Sequence, residues 1–145
     1  MSFIAGPAAV VMRCEISSGE EGLQQARRWV RELARQSGFD RTEQVSFCTA
    51  AQDALEHVIA RAYAGCDGLP ILLNASNGGG DVVLSIRDYG RKPWRSLRSA
   101  QMACTLPEDV YGLWRLYGLV DEVRLDSTPT DGSILTLVKR GRTCS

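Results

Sequence analysis

"PILLNASNGGGDVVLSIRD" (residues 70–88) holds two short apolar runs, 70–76 and 81–88, on either side of an Asn and three glycines. That pattern reads as a β-hairpin. Turn geometry accounts for Gly78, Gly79 and Gly80, so they are not a phosphate-binding loop. Upstream, "AAVVMRCEI" (8–16) is apolar and partly β-branched and reads as a first strand. Ser17 and Ser18 offer an N-cap, with Glu20 and Glu21 in the first helical turn. Leu23, Ala26, Val30, Leu33 and Ala34 then recur at helical spacing, and Gly38 closes that helix. Asp40 with Glu43 makes a capping-box start for a longer helix. Its expected apolar face is Val45, Cys48, Ala51, Leu55, Val58 or Ile59, and Ala62, and it runs to Gly65.

Downstream of the hairpin, residues 89–107 are irregular, and a loop that long in a compact domain suggests function or mobility. Pro107, Glu108 and Asp109 open a further helix carrying Val110, Leu113, Leu116 or Tyr117, and Val120. "EVRLDS" and "SILTLVKR", joined by "TPTDG", form a closing hairpin. The order is β, α, α, β, β, loop, α, β, β. Paired strands with grouped helices predict an α+β fold: a two-layer sandwich whose mainly antiparallel sheet is covered on one face by helices. No repeat interrupts residues 1–145, which read as one domain.

Composition narrows the function classes. Hydrophobic residues make up 44%, so a packed core is expected. Lys+Arg and Asp+Glu both number 17, which leaves no net charge to recruit nucleic acid or an anionic membrane. The five cysteines (Cys14, Cys48, Cys66, Cys104 and Cys144) are odd in number and scattered without a CxxC pair. A disulfide scaffold or a zinc site is disfavoured, and reduced thiols in a cytosol fit better. No apolar run approaches the ~20 residues of a membrane span, and the N-terminus lacks a signal peptide's basic region. A cytoplasmic domain is expected.

"DALEHVIARAY" (53–63) sets Asp53, His57 and Arg61 four residues apart, on one face of the second helix. Such a stripe is either a solvated face with weak pairing or the wall of a ligand pocket. Two ligands on one helix do not make a metal site, so no metal is assigned to Asp53 and His57. "RKPWRSLR" (91–98) gathers Arg91, Lys92, Arg95 and Arg98 around Trp94, either as a solvated loop or as a lid or basic patch.

Four stretches in order, "FCTAAQDALEHVIARAY", "LSIRDYGRKP", "EDVYGLWRLYGLVDEVRL" and "DGSILTLVKR", resemble one family. It is the RsbW-like anti-sigma-factor serine kinases, a branch of the histidine-kinase-like (GHKL) ATPases. The resemblance spans nearly the whole chain. It implies the histidine-kinase-like ATPase fold, with residues 89–107 as an ATP-lid-like loop. It also implies ATP as cofactor. Asp88 then binds the adenine amino group and Gly90 gives the base room, while Ser133, after Gly132, keeps the hydroxyl of a Gly-Thr pair. Gly112 and Leu113 match half of the Gly-rich motif. Asp53 stands at the position of a catalytic Glu and His57 at that of a magnesium-binding Asn. Lys92 replaces the last glycine of D-x-G-x-G, and Val110 and Tyr111 replace small residues.

The departures have chemical meaning. Magnesium prefers oxygen ligands, whereas an imidazole nitrogen suits transition metals. Asp53 as a general base is one methylene short in a geometry that tolerates little error. Bulk at Val110 and Tyr111 crowds a backbone phosphate cradle, and Lys92 returns only a point charge. The nucleoside end is therefore expected to be retained and the metal and phosphate end altered, with His57 disfavouring Mg. The resemblance then implies a partner-switching regulator. It binds a sigma factor, a STAS-domain antagonist, or both, with weakened or lost kinase activity. The alternative is an active ATP-dependent serine/threonine kinase that phosphorylates a STAS-domain anti-anti-sigma factor with Asp53 as base. A third is a switch protein of this fold that activates a phosphatase. Direct nucleic-acid or membrane binding is not expected. A homodimer is implied, through the face holding the first helix and first strand.

Overall fold

Alternation along the strands decides which side of the sheet is covered. The computed structural model of the chain describes residues 10–63, 68–78, 80–90, 115–128 and 132–141. Strand β1 (Val10–Ser17) is followed by helices α1 (Glu20–Gln36) and α2 (Arg41–Ala62). Strands β2 (Pro70–Gly78), β3 (Asp81–Asp88), β4 (Glu122–Thr128) and β5 (Gly132–Arg140) come next. The sheet order is β1-β2-β3-β5-β4, with every neighbouring pair antiparallel. The predicted α+β sandwich is therefore the observed architecture. The chain leaves β3, crosses to the far edge as β4, and returns through β5 into the gap beside β3. The expected helix start at 107–109 lies outside the described residues. Helix α2 ends at Ala62 with Tyr63 as its C-cap, short of the expected Gly65, and residues 117–119 are turn, so the later helix does not run to Val120.

Cross-strand register writes the core in rows. Met12, Ala75, Leu84, Leu137 and Val123 form one, and Cys14, Leu73, Ile86, Leu135 and Leu125 the next. Side chains two apart on a strand share a face, so both rows point to the helices. Onto them α1 lays Ala26, Val30, Leu33 and Ala34, and α2 lays Phe47, Ala50, Ala51, Ala54, Leu55, Val58 and Ala62. The alanines of α2 let its backbone lie close to its neighbours. Phe39 and Phe47 close one end of the core edge to face, with ring centroids 5.9 Å apart.

Two expectations at the helices are corrected. Neither Ser17 nor Ser18 caps α1. The N-cap is Gly19, at φ 127°, with no side-chain cap hydrogen bond. The Ser18 hydroxyl instead accepts the Leu69 N–H at 3.0 Å, tying the start of α1 to the strand entering the sheet. The apolar face of α2 also sits differently. Val45 is 59% exposed and Cys48 only half-buried, while Phe47 fills the core. Val45 and Cys48 share helical spacing with Ala51 and Leu55, but the wide buried stripe is centred one residue over. The capping box forms as read: the Asp40 carboxylate accepts the Glu43 N–H at 2.8 Å, and Glu43 accepts the Asp40 N–H at 2.9 Å.

Cys14 and Cys48 are free thiols, both held above their ordinary pKa by burial, with the Arg31 charge opposing it at Cys48. Among the described residues no helix is long and apolar enough to cross a membrane.

Candidate functional site

A third row of the sheet breaks the apolar pattern. Ile16 faces Ile71, Ile71 faces Asp88, and Asp88 faces Ser133. Asp88 is the last residue of β3, on the helix-covered side, and is 1% exposed. A carboxylate taken out of water needs donors to replace its hydration. Two supply it: the Gly90 N–H donates to Oδ1 at 2.9 Å, and the Ser133 hydroxyl donates to Oδ2 in a short hydrogen bond. A carboxylate offers about four acceptor positions, so Asp88 retains capacity toward a further donor.

Two glycines make this corner possible. Gly132 has φ 79°, and a Cβ there would lie 2.1 Å from the Asp88 carbonyl oxygen. A Cβ on Gly90 would fall 2.5 Å from the Ala62 carbonyl oxygen and 2.8 Å from its Cβ. The end of α2 therefore rests directly on the backbone leaving β3. Tyr63 fastens the contact: its hydroxyl donates to the Pro70 carbonyl at 2.5 Å and accepts the Tyr89 N–H at 2.8 Å. Burial holds the Tyr63 phenol above its ordinary pKa. The Asp88 charge adds to this and the Tyr89 N–H opposes it. The Arg87 guanidinium stacks over the Tyr89 ring, 5.0 Å from its centroid.

The stripe on α2 leads away from this corner. Arg61, His57 and Asp53 are all half-buried and step back along the helix from Ala62. At 1.5 Å rise per residue, Asp53 lies about 13 Å along the axis from Ala62. There its carboxylate meets the Arg115 guanidinium at 3.1 Å. The structure thus gathers Asp88, Gly90 and Ser133 into one corner and sets His57 and Asp53 along the helix that abuts it. Lys92, Gly112 and Leu113 lie outside the described residues. Sequence reasoning missed Tyr63 and Arg115. Tyr63 closes the quoted α2 motif and so had a local signal. Arg115 had none, because its partner is 62 positions away.

The sequence matches the histidine kinase-like ATPase domain model over residues 16–139, and the chain belongs to that family. Within it, the chain is similar to a crystal structure of the RsbU and RsbW domains of Rv1364c from Mycobacterium tuberculosis. The TM-score is 0.66 at 19% sequence identity, and the match covers 94% of this chain and 35% of that one. The chain thus spans about a third of that protein's length. No curated protein matches the sequence.

Proposed function

We propose that the chain binds an adenine nucleotide beside Asp88 and works as a partner-switching regulator with weakened or lost kinase activity. One observation carries the adenine reading: a buried carboxylate, fixed by Gly90 and Ser133, with acceptor capacity to spare. An exocyclic amine is the donor such a carboxylate suits. The family match supports ATP as the nucleotide. Lys92, Gly112 and Leu113 would complete the site at its phosphate end.

Weak phosphoryl transfer follows from the stripe. A general base must reach the hydroxyl it deprotonates, and Asp53 is short and already engaged by Arg115. The regulator would then act by binding: its partner is a sigma factor, a STAS-domain antagonist, or both, and it acts as a homodimer in the cytoplasm. The likeness to a protein carrying an RsbW domain supports this reading.

Calorimetric titration with adenosine and ATP tests the first half; absence of adenosine binding to the folded protein would refute it. Incubation with labelled ATP and a STAS-domain protein tests the second. Transfer of label to a serine of that protein, abolished in Asp53→Asn, would favour the active kinase instead. Pull-down of native partners tests the regulatory role, and recovery of neither partner class would count against it.

A further inference from the structure

Magnesium does not fit the residues that stand where a metal-binding helix is expected. His57 offers nitrogen, and the Asp53 carboxylate is matched by a guanidinium at 3.1 Å rather than left to a cation. Among the described residues no three His, Cys, Asp or Glu side chains come together as a metal set. The same face instead carries two arginines. Arg61 and His57 lie between the Asp88 corner and Asp53, and Arg115 stands at the far end.

Distance gives this charge a role. The corner at Gly90 abuts Ala62, and Arg115 meets α2 nine residues back at Asp53, about 13 Å along the axis. A nucleoside triphosphate lying along α2 with its base at Asp88 would present its phosphates toward that end. Arg115 is placed to arrive there reproducibly. Leu116 beside it is fully buried, while the Arg115 side chain is 61% exposed and open to a ligand. A guanidinium is a planar fork suited to two phosphate oxygens, and it carries its charge at every relevant pH.

We propose that Arg115 is the phosphate-end cation of this site, binding the terminal phosphates of ATP without a metal ion, with Asp53 as its counter-ion when no nucleotide is bound. The inference rests on the adenine reading above and adds a residue and a metal requirement to it. Phosphate and carboxylate compete for one guanidinium, so ATP binding breaks the Asp53–Arg115 pair. Asp53 keeps Arg115 off the phosphate site until the ligand outbids it.

The test is calorimetric titration with adenosine and with ATP, each in excess chelator and again with magnesium. The wild-type protein is expected to bind ATP at least tenfold more tightly than adenosine in chelator, with little change on adding magnesium. A charge-assisted hydrogen bond is worth about 1.5–3 kcal/mol, or roughly 10- to 100-fold. Arg115→Ala should remove that advantage and leave adenosine affinity unchanged, which also reports an intact fold. Asp53→Asn should tighten ATP several-fold. Three results would overturn the proposal: an ATP advantage that appears only with magnesium, an ATP-to-adenosine ratio unchanged in Arg115→Ala, or an unchanged ATP affinity in Asp53→Asn. If adenosine does not bind the wild-type protein, the adenine reading itself fails and this inference falls with it.

Discussion

The Ser133 hydroxyl donates to the Asp88 carboxylate across adjacent strands, joining residues 45 positions apart at one end of the helix-covered sheet face. Removing it leaves a buried carboxylate oxygen without its donor. Ser133→Ala is expected to lower stability by about 1–3 kcal/mol, read as a shift in the urea unfolding midpoint. Ser133→Thr keeps the hydroxyl and should recover most of the loss.

Gly132 and Gly80 separate two costs of a side chain. Both have positive φ, but a Cβ at Gly80 meets nothing within 4 Å, whereas at Gly132 it meets backbone at 2.1 Å. Gly80→Ala should cost about 1 kcal/mol, the conformational part alone. Gly132→Ala should cost at least about 2 kcal/mol more, because the strands must move apart. Parallel urea titrations check the difference, and equal losses would refute the close approach.

Tyr63 predicts a pH dependence. Its pKa is raised above the ordinary phenol value of 10.0 because burial favours the neutral form. The folded state therefore holds the proton more tightly than the unfolded one. The stabilisation is complete below about pH 10 and is lost as pH rises through the folded-state value. Tyr117, Cys14 and Cys48 are raised as well and act in the same direction. Tyr63→Phe should flatten the alkaline fall in stability. It should also lower stability at neutral pH by about 1–3 kcal/mol, because the Tyr89 N–H and Pro70 carbonyl lose their partner. Urea midpoints measured from pH 8 upward would show both effects.

The cap of α2 gives a local control. Asp40→Ala removes the acceptor for the Glu43 N–H and one half of the reciprocal box. A loss of about 1 kcal/mol is expected. Adenosine affinity should stay unchanged, since the cap lies at the opposite end of α2 from Ala62.

Much of this molecule was legible in the chain. The hairpin over 70–88, the Asp40–Glu43 box and the D-x-G turn at Asp88 each depend on residues within a few positions of one another. Backbone dihedrals and near-neighbour hydrogen bonds are set at that range. Period-two alternation on β3 likewise announces a one-sided sheet, and it places Asp88 in phase with Val82, Leu84 and Ile86. The misreadings also have physical causes. Ser17 and Ser18 carry the chemistry of a cap, but a tertiary partner, the Leu69 N–H, takes the Ser18 hydroxyl. Val45 has helical spacing, yet the sheet meets α2 on a stripe centred elsewhere.

By itself, then, the sequence determined α1, α2 and the strands, the antiparallel two-layer class, and the candidate carboxylate at the end of β3, because these follow from local periodicity and turn chemistry. Only the tertiary structure decided that β5 inserts between β3 and β4 to bring Ser133 onto Asp88, that Gly90 lies against Ala62, and that Arg115 closes on Asp53. Those contacts join residues from 28 to 62 positions apart. No local pattern specifies them, because they arise from how whole elements pack to bury one shared apolar face.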